Sequence, residues 1–482
     1  VRTLGADDYG LWALIGSLAA YGGLLDLGIA SAVSKYIAEY RARGDVTQAQ
    51  RLVATALGLY TALGGLALLL SVVAAPWVPV WFGLSAGLAA RAQTMALLTG
   101  VGVALGLPSA ITYAILRGLQ RFELVNILSI VGVTLTAVSM LVVIQLGGGV
   151  VGLTAVAIPL ELGMQVAAVW LIRRAAPELR LSWRDLDWKL LRPVASFSSA
   201  LLVLNVATQV KTKTDEIVIG AFLPIAAVTP YSLARRLSEI PQLLSDQMVK
   251  VLMPLASQLS AADDQGRLRQ LYLLSSRLTL GIAIPLAVGL IVLAEAFLTV
   301  WVGARYAEAA GLLIVLTCAG VFTISQMPAG SILQGTARHR RLALLALGSA
   351  LLNLVLSVVL VRPFGVMGVA LGTLIPNALE AFGLIMPYAM RLHGVTARTA
   401  VAEIFWPALA PAVPMAVVVV GLREWLQPAN YFTLLLVGLT GGLVYLGGYA
   451  ALCWRKPERD LGRQFWGEGQ ERWAAWWRTR RR

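Results

Sequence analysis

Seven charged residues cluster in the facing parts of two consecutive apolar stretches: Lys211, Lys213, Asp215 and Glu216 within 194–222, and Arg235, Arg236 and Glu239 in the first half of 225–256. An ionisable group at the middle of a bilayer costs at least about 2.5–3.5 kcal/mol on insertion scales, so it faces a cavity or a partner. At about 1.5 Å of rise per residue, Lys211 lies roughly 16 Å below the outer end of the first stretch and Asp215 roughly 10 Å; the two arginines lie roughly 15–17 Å into the second. Lys211 and the arginine pair therefore share a level. Lys211 and Asp215 are spaced i,i+4 and occupy one helical face, whereas Lys213 and Glu216 point elsewhere. Four positive charges against three negative make the cluster slightly cationic. Its chemistry would be anion binding, with arginine forks and a lysine point charge replacing lost hydration. The structural alternative is a set of internal ion pairs, Lys211 with Asp215 and Arg235 or Arg236 with Glu239, tying two helices together. Lys213 and Glu216 are read in that structural way. Arg235 and Arg236 point about 100° apart, so one of them faces the cavity.

Other intramembrane carboxylates could bind and release a proton or a sodium ion. Asp26 sits roughly 24 Å along its stretch and Glu161 roughly 18 Å; Glu380, one turn after Asn377, lies at a similar depth. With Asp215 they form the candidate ion-coupling set. For Asp26, between Leu25 and Leu27 with Gly28 two residues on, the competing role is capping a kink. Glu161 follows Pro159, whose missing N–H frees a carbonyl and permits a broken-helix ion site. Lys35, Lys250 and Arg277 are within reach of a cytoplasmic end and are read as interface anchors. His339 and His393 sit in basic connectors where no Ser, Asp or Cys converges, so no catalytic residue is expected. Cys318 and Cys453 lie in apolar runs without metal-ligand spacing. The sequence lacks G-x-x-x-x-G-K-[ST], which argues against ATP hydrolysis. No cofactor is expected beyond coupling to a proton or sodium gradient.

The composition says which elements hold these groups. Of 482 residues, 58% are hydrophobic and 13% charged, with net charge +14. Soluble domains carry about 25% charged residues, so an ordinary soluble enzyme is excluded. Apolar runs of about 20 residues read as membrane helices, and thirteen are present: 10–34, 49–74, 93–116, 123–146, 149–172, 194–222, 225–256, 272–297, 307–333, 342–361, 365–390, 402–421 and 431–453. Roughly 27 Arg and Lys fall on one set of connectors and about five on the other, which places the richer set in the cytoplasm. The C-terminus is then cytoplasmic and residue 1 external. The segment 184–192 reads as a short interfacial helix. The tail from Arg455 mixes Trp466, Trp473, Trp476 and Trp477 with arginines and suits anionic lipid rather than nucleic acid.

The chain also repeats itself. Tyr9 is followed 35 residues on by Gly44, and Tyr231 by Gly266; ILRGLQR at 115–121 answers ILQGTAR at 332–338, and GVVGL at 149–153 answers GVMGV at 365–369. The offsets run from 222 to 216. Six spans separate the copies, an even number, so both halves have one topology. The expected fold is all-α and polytopic, with two pseudo-symmetric six-helix lobes around a central cavity plus two C-terminal helices. Its parts are an N-terminal lobe (1–172), a cytoplasmic connector (173–193), a C-terminal lobe (194–390), two further helices (391–453) and the basic tail (454–482). The helix at 194–222 has its counterpart before residue 1, so a first helix is expected to be missing here and the native count to be fourteen.

LGADDYGLW and LLDLGIASAVSKYIAEYRARGD, with TKTDEIVIGAFLPIAAVTPYSLARRLSEIP in the second half, resemble bacterial oligosaccharide flippases of the Wzx type. These belong to the multidrug/oligosaccharidyl-lipid/polysaccharide exporter superfamily. The resemblance implies alternating access that carries an undecaprenyl-pyrophosphate-linked oligosaccharide outward across the inner membrane. On that reading Arg235, Arg236 and Lys211 receive the diphosphate. The partners are the lipid-linked oligosaccharide, membrane lipids and other polysaccharide-assembly proteins. A multidrug extruder for organic cations, or a lipid II flippase, is the alternative within the superfamily. A polymerase or glycosyltransferase of the same pathway is the alternative enzyme, but it needs a large external loop or soluble domain that the sequence lacks.

Overall fold

The computed structural model describes residues 3–26, 28–179, 185–336 and 338–452. The expected tail and Cys453 lie outside these residues. Among the described residues every regular element is helical. In chain order they are α1 (Ala6–Gly22), α2 (Ile29–Ala42), α3 (Val46–Ala74), α4 (Val78–Trp81), α5 (Ala86–Gly118), α6 (Phe122–Gln145), α7 (Gly149–Ala155), α8 (Ala157–Ala175), α9 (Leu191–Phe222), α10 (Val228–Ser238), α11 (Ile240–Val249) and α12 (Leu252–Ala261). Then follow α13 (Gln265–Val292), α14 (Ala294–Val302), α15 (Ala310–Gly335), α16 (His339–Ala378), α17 (Met386–Leu392), α18 (Ala397–Ala400), α19 (Trp406–Leu409), α20 (Ala412–Leu426) and α21 (Tyr431–Leu452). π-helical turns at Leu379–Ile385 and Val401–Phe405 complete the order.

Ten helical stretches among the described residues are long and apolar enough to cross a membrane. One of them, Arg341–Leu392, contains a non-helical Gly365 (φ 57°, ψ −139°) and holds two of the thirteen expected runs. The run at 194–222 forms α9, whose 32 residues are long enough to cross a bilayer. The run at 225–256 is split into α10, α11 and α12, with Pro241 in the first turn of α11. The run at 10–34 is split as well, by a 3₁₀ turn Gly23–Asp26 and a left-handed Gly28 (φ 72°). The interfacial helix expected at 184–192 is only a 3₁₀ turn, Trp188–Leu190, leading into α9; Thr55 accepts from the Asp187 N–H at 2.8 Å and ties this segment to α3.

The duplication is written into the backbone. Gly149 and Gly365, 216 residues apart, have φ of 58° and 57°. Gly83 and Gly303, 220 apart, follow matching Val-Trp pairs and are both left-handed in φ. Pro108 and Pro328, also 220 apart, sit inside α5 and α15. Asp45 and Asp264 each cap the next helix, accepting from Gln48 N at 3.0 Å and Arg267 N at 2.9 Å. The residue before each cap has positive φ, Gly44 at 72° and Asp263 at 53°. Gly44 therefore corresponds to Asp263, a correction to the pairing with Gly266 expected from spacing.

Close packing groups the chain into two units. The first comprises Val1–Leu237, Glu308–Ala319 and Thr336–Ile385. Within it α3 packs along α5, burying Leu52, Tyr60, Ile111 and Ile115 completely. The second comprises Ser238–Ala307, Gly320–Gly335 and the described residues from Met386 on. There α20 packs on α21, and the Tyr445 hydroxyl donates to the Ala408 carbonyl at 3.0 Å. In both units large apolar side chains face outward, such as Val133 (71% exposed) on α6 and Phe432 (74%) on α21, while polar groups are inside. Water would not tolerate so much exposed hydrocarbon. The chain is a multi-pass membrane protein.

Candidate functional site

The intramembrane charges of the first unit are gathered by α9, α10 and the two halves of α16. Gly365 turns the chain so that the segments before and after it lie side by side. Close approach is possible because position 372 is glycine: a Cβ there would meet the Ser357 hydroxyl at 2.6 Å. Ser349, Asn353 and Ser357, spaced i,i+4,i+8, form a buried polar stripe opposite Thr373, Asn377 and Glu380. Asn353 Nδ2 donates to the Gly372 carbonyl at 3.0 Å and to Thr373 Oγ1 at 3.1 Å, locking the two segments.

Asp215 is the centre of one layer and is completely buried. Its Oδ2 accepts from the Tyr231 hydroxyl at 2.5 Å, from Thr373 Oγ1 at 2.9 Å and from Arg235 Nη1 at 3.1 Å; Ser357 Oγ donates to Oδ1 at 3.4 Å. A buried carboxylate is tolerated only when its lone pairs are filled in this way. One helical turn away, Lys211 Nζ donates to Glu380 Oε2, which also accepts from Ser349 Oγ at 3.1 Å. Lys211 thus pairs with Glu380 rather than with its i,i+4 neighbour Asp215. Glu380 belongs to the π-helical turn after Pro376, whose missing N–H loosens the regular ladder and turns the carboxylate inward.

Arg236 takes a different path from Arg235. It is exposed, and its guanidinium lies over the Trp12 ring at 5.0 Å and near Tyr9 at 5.9 Å. Trp12 is a residue that sequence spacing does not single out, since only the packing of α1 on this side chain marks it. Glu216, expected to be structural, has a buried Oε2 with no hydrogen-bond partner among the described residues. The remaining candidates are not brought into this network. Asp26 Oδ1 accepts from the Ala30 N–H at 3.4 Å, at the start of α2, and from the buried Tyr60 hydroxyl. Glu161 stays part-exposed on α8. A separate cavity of about 330 Å³ in this unit is lined mainly by apolar residues including Leu18, Leu70, Trp81 and Val103; Tyr21, also on its wall, shares a hydrogen bond with Thr214. Its wall suits hydrocarbon rather than charge.

The site is thus a buried acid held by four donors, with a second arginine left accessible beside aromatic rings. The family described as "Polysaccharide biosynthesis protein" matches residues 1–311, and the chain belongs to it. The chain is 24% identical over 218 residues to the probable low-salt glycan biosynthesis flippase Agl15 of Haloferax volcanii; the match covers 45% of each chain. Less than half the length of that relative is therefore spanned. Among solved structures, the lipid II flippase MurJ in an inward closed conformation is similar with a TM-score of 0.68 at 17% identity, over 95% of this chain and 98% of that one. An inward-facing multidrug resistance MATE family transporter of the MOP superfamily also reaches 0.68, at 18% identity over 82% and 95%. The fold is that of these transporters.

Proposed function

We propose that this protein is a flippase that moves a polyprenyl-diphosphate-linked oligosaccharide from the cytoplasmic to the external leaflet of the bacterial inner membrane by alternating access. It is a transporter rather than an enzyme, its C-terminus is cytoplasmic, and it works with membrane lipids and other polysaccharide-assembly proteins. The observation that carries this reading is the unequal fate of two adjacent arginines: Asp215 holds Arg235, while Arg236 remains exposed over Trp12. Arg236 offers a guanidinium fork to the diphosphate, and Arg235 is a second fork held in reserve. A proton or sodium ion arriving at Asp215, beside the unpartnered Glu216 oxygen, competes with Arg235 for the same carboxylate. Its arrival loosens the hold of Asp215 on Arg235, and its departure restores it. Lys211, locked to Glu380, contributes field rather than contact. The family membership and the name of the Haloferax relative support the substrate class.

The test is a flipping assay in proteoliposomes loaded with a fluorescent polyprenyl-diphosphate oligosaccharide. Wild-type protein should move the lipid, and Arg236→Ala should abolish movement while leaving folded protein in the bilayer. Undiminished flipping by Arg236→Ala would overturn the assignment.

A further inference from the structure

The second unit carries its own arginine-lined cavity, remote in sequence from Asp215. It has a volume of about 630 Å³ and is lined by Gln258 of α12, by Arg267, Arg269, Gln270 and Arg277 of α13, and by Glu403 of the π-helical turn Val401–Phe405. Three guanidinium groups against one carboxylate leave the lining with an excess of two positive charges. Its size lies within the roughly 300–1,000 Å³ typical of small-molecule sites.

The cavity is graded in depth. Arg267 and Arg269 are exposed at the start of α13, whereas Arg277 is only 4% exposed. Ten residues of helix separate Arg267 from Arg277, about 15 Å along the axis. Arg277 is therefore not the interface anchor expected from its position in the sequence, because its side chain is packed inside the unit. At the mouth, Arg267 meets Asp264 at 3.4 Å in an exposed contact of little energetic value, readily exchanged for a stronger anion. Leucines of α12 and α13 line the rest of the wall, Leu255 and Leu274 among them.

We infer that this cavity binds the phosphate-bearing headgroup of an anionic lipid. Guanidinium forks match phosphate oxygens in pairs, the carboxamides of Gln258 and Gln270 suit the polar backbone of a headgroup, and the leucines suit the first methylenes of its chains. A free inorganic anion would use the arginines but gain nothing from that apolar wall. This inference concerns a different unit from the Asp215 network, and its readout is binding, so it stands or falls apart from the transport proposal.

The test uses the full chain purified in a neutral detergent, with ligand titrations followed by native mass spectrometry and thermal shift. The probes are dioctanoyl phosphatidylglycerol, dioctanoyl phosphatidylcholine and inorganic pyrophosphate. Wild-type protein should bind the phosphatidylglycerol at least tenfold more tightly than the zwitterionic lipid. The double variant Arg267→Ala/Arg269→Ala, altered only at exposed side chains, should lose at least tenfold of that affinity. Arg277→Lys, which keeps the buried charge but not the fork, should lose part of it. Equal binding of the two lipids, or unchanged binding in the double variant, would overturn the site. Pyrophosphate binding as tightly as phosphatidylglycerol would overturn the lipid assignment.

Discussion

Arg235 and Asp215, on different helices and 20 residues apart, share a hydrogen bond of 3.1 Å at a carboxylate with no exposure at all. The arginine is 11% exposed, so the pair sits at the edge between a sealed interior and a reachable space. That position lets the contact hold two helices together and still be broken by a competitor.

Breaking this pair from one side should be costly. Asp215→Ala removes a fully buried acceptor of four hydrogen bonds and should lower stability by about 3–5 kcal/mol, read as a fall in the unfolding temperature in detergent. Asp215→Asn keeps an acceptor for Tyr231 and should fold better. Its transport should no longer respond to an imposed proton or sodium gradient.

Arg236→Ala should behave in the opposite way. The side chain is exposed and its ring contacts are of the weak, solvated kind. Unfolding should shift by no more than about 0.5–1 kcal/mol, while glycan export by whole cells is lost. Trp12→Ala should weaken export less, by removing the surface that orients the guanidinium.

Lys211 and Glu380 are coupled across 169 residues of sequence. Either single substitution, Lys211→Met or Glu380→Gln, should destabilise by about 3–5 kcal/mol by breaking the buried ion pair from one side. The double variant should be markedly more stable than the sum of the two predicts, with a coupling energy of about 0.5–3 kcal/mol. Additive losses in thermal unfolding would show that the two charges do not interact.

Gly365 has a backbone conformation closed to residues with a Cβ. Gly365→Ala should therefore cost about 1–3 kcal/mol. Gly372→Ala, which would press on the Ser357 hydroxyl, should disturb the Asp215 layer as well. Limited proteolysis and unfolding temperature should both report the first change; loss of gradient-driven transport should report the second.

Much of the fold is legible in the sequence because a bilayer punishes exceptions. The apolar runs have to be helices, and charges within them have to be inside, which is why Lys211, Asp215 and Arg235 stand out. The hairpin at Gly365 is legible as one end of a repeat. The choice of partners is not: nothing local pairs Lys211 with Glu380 or sets Trp12 beneath Arg236. Two further signals gain their meaning only beside the structure. Ser349, Asn353 and Ser357 mark a polar face on an otherwise apolar helix, and Pro241 and Pro254 foretell the splitting of the run at 225–256. Arg277 eludes sequence reasoning because distance to a helix end gives its height in the membrane but not the side to which it turns.

The matched turns at Gly149 and Gly365 carry very different cargo. Counting back 216 residues from Ser349, Asn353, Ser357, Thr373, Asn377 and Glu380 gives Val133, Ala137, Leu141, Ala157, Glu161 and Met164. One ancestral scaffold was thus kept twice while its contents diverged: one copy became a relay of oxygens and nitrogens, the other almost pure hydrocarbon. Sensitivity to ions should accordingly be concentrated in the copy that holds the relay, and grafting the six polar residues onto its sibling would ask whether that scaffold can still house them.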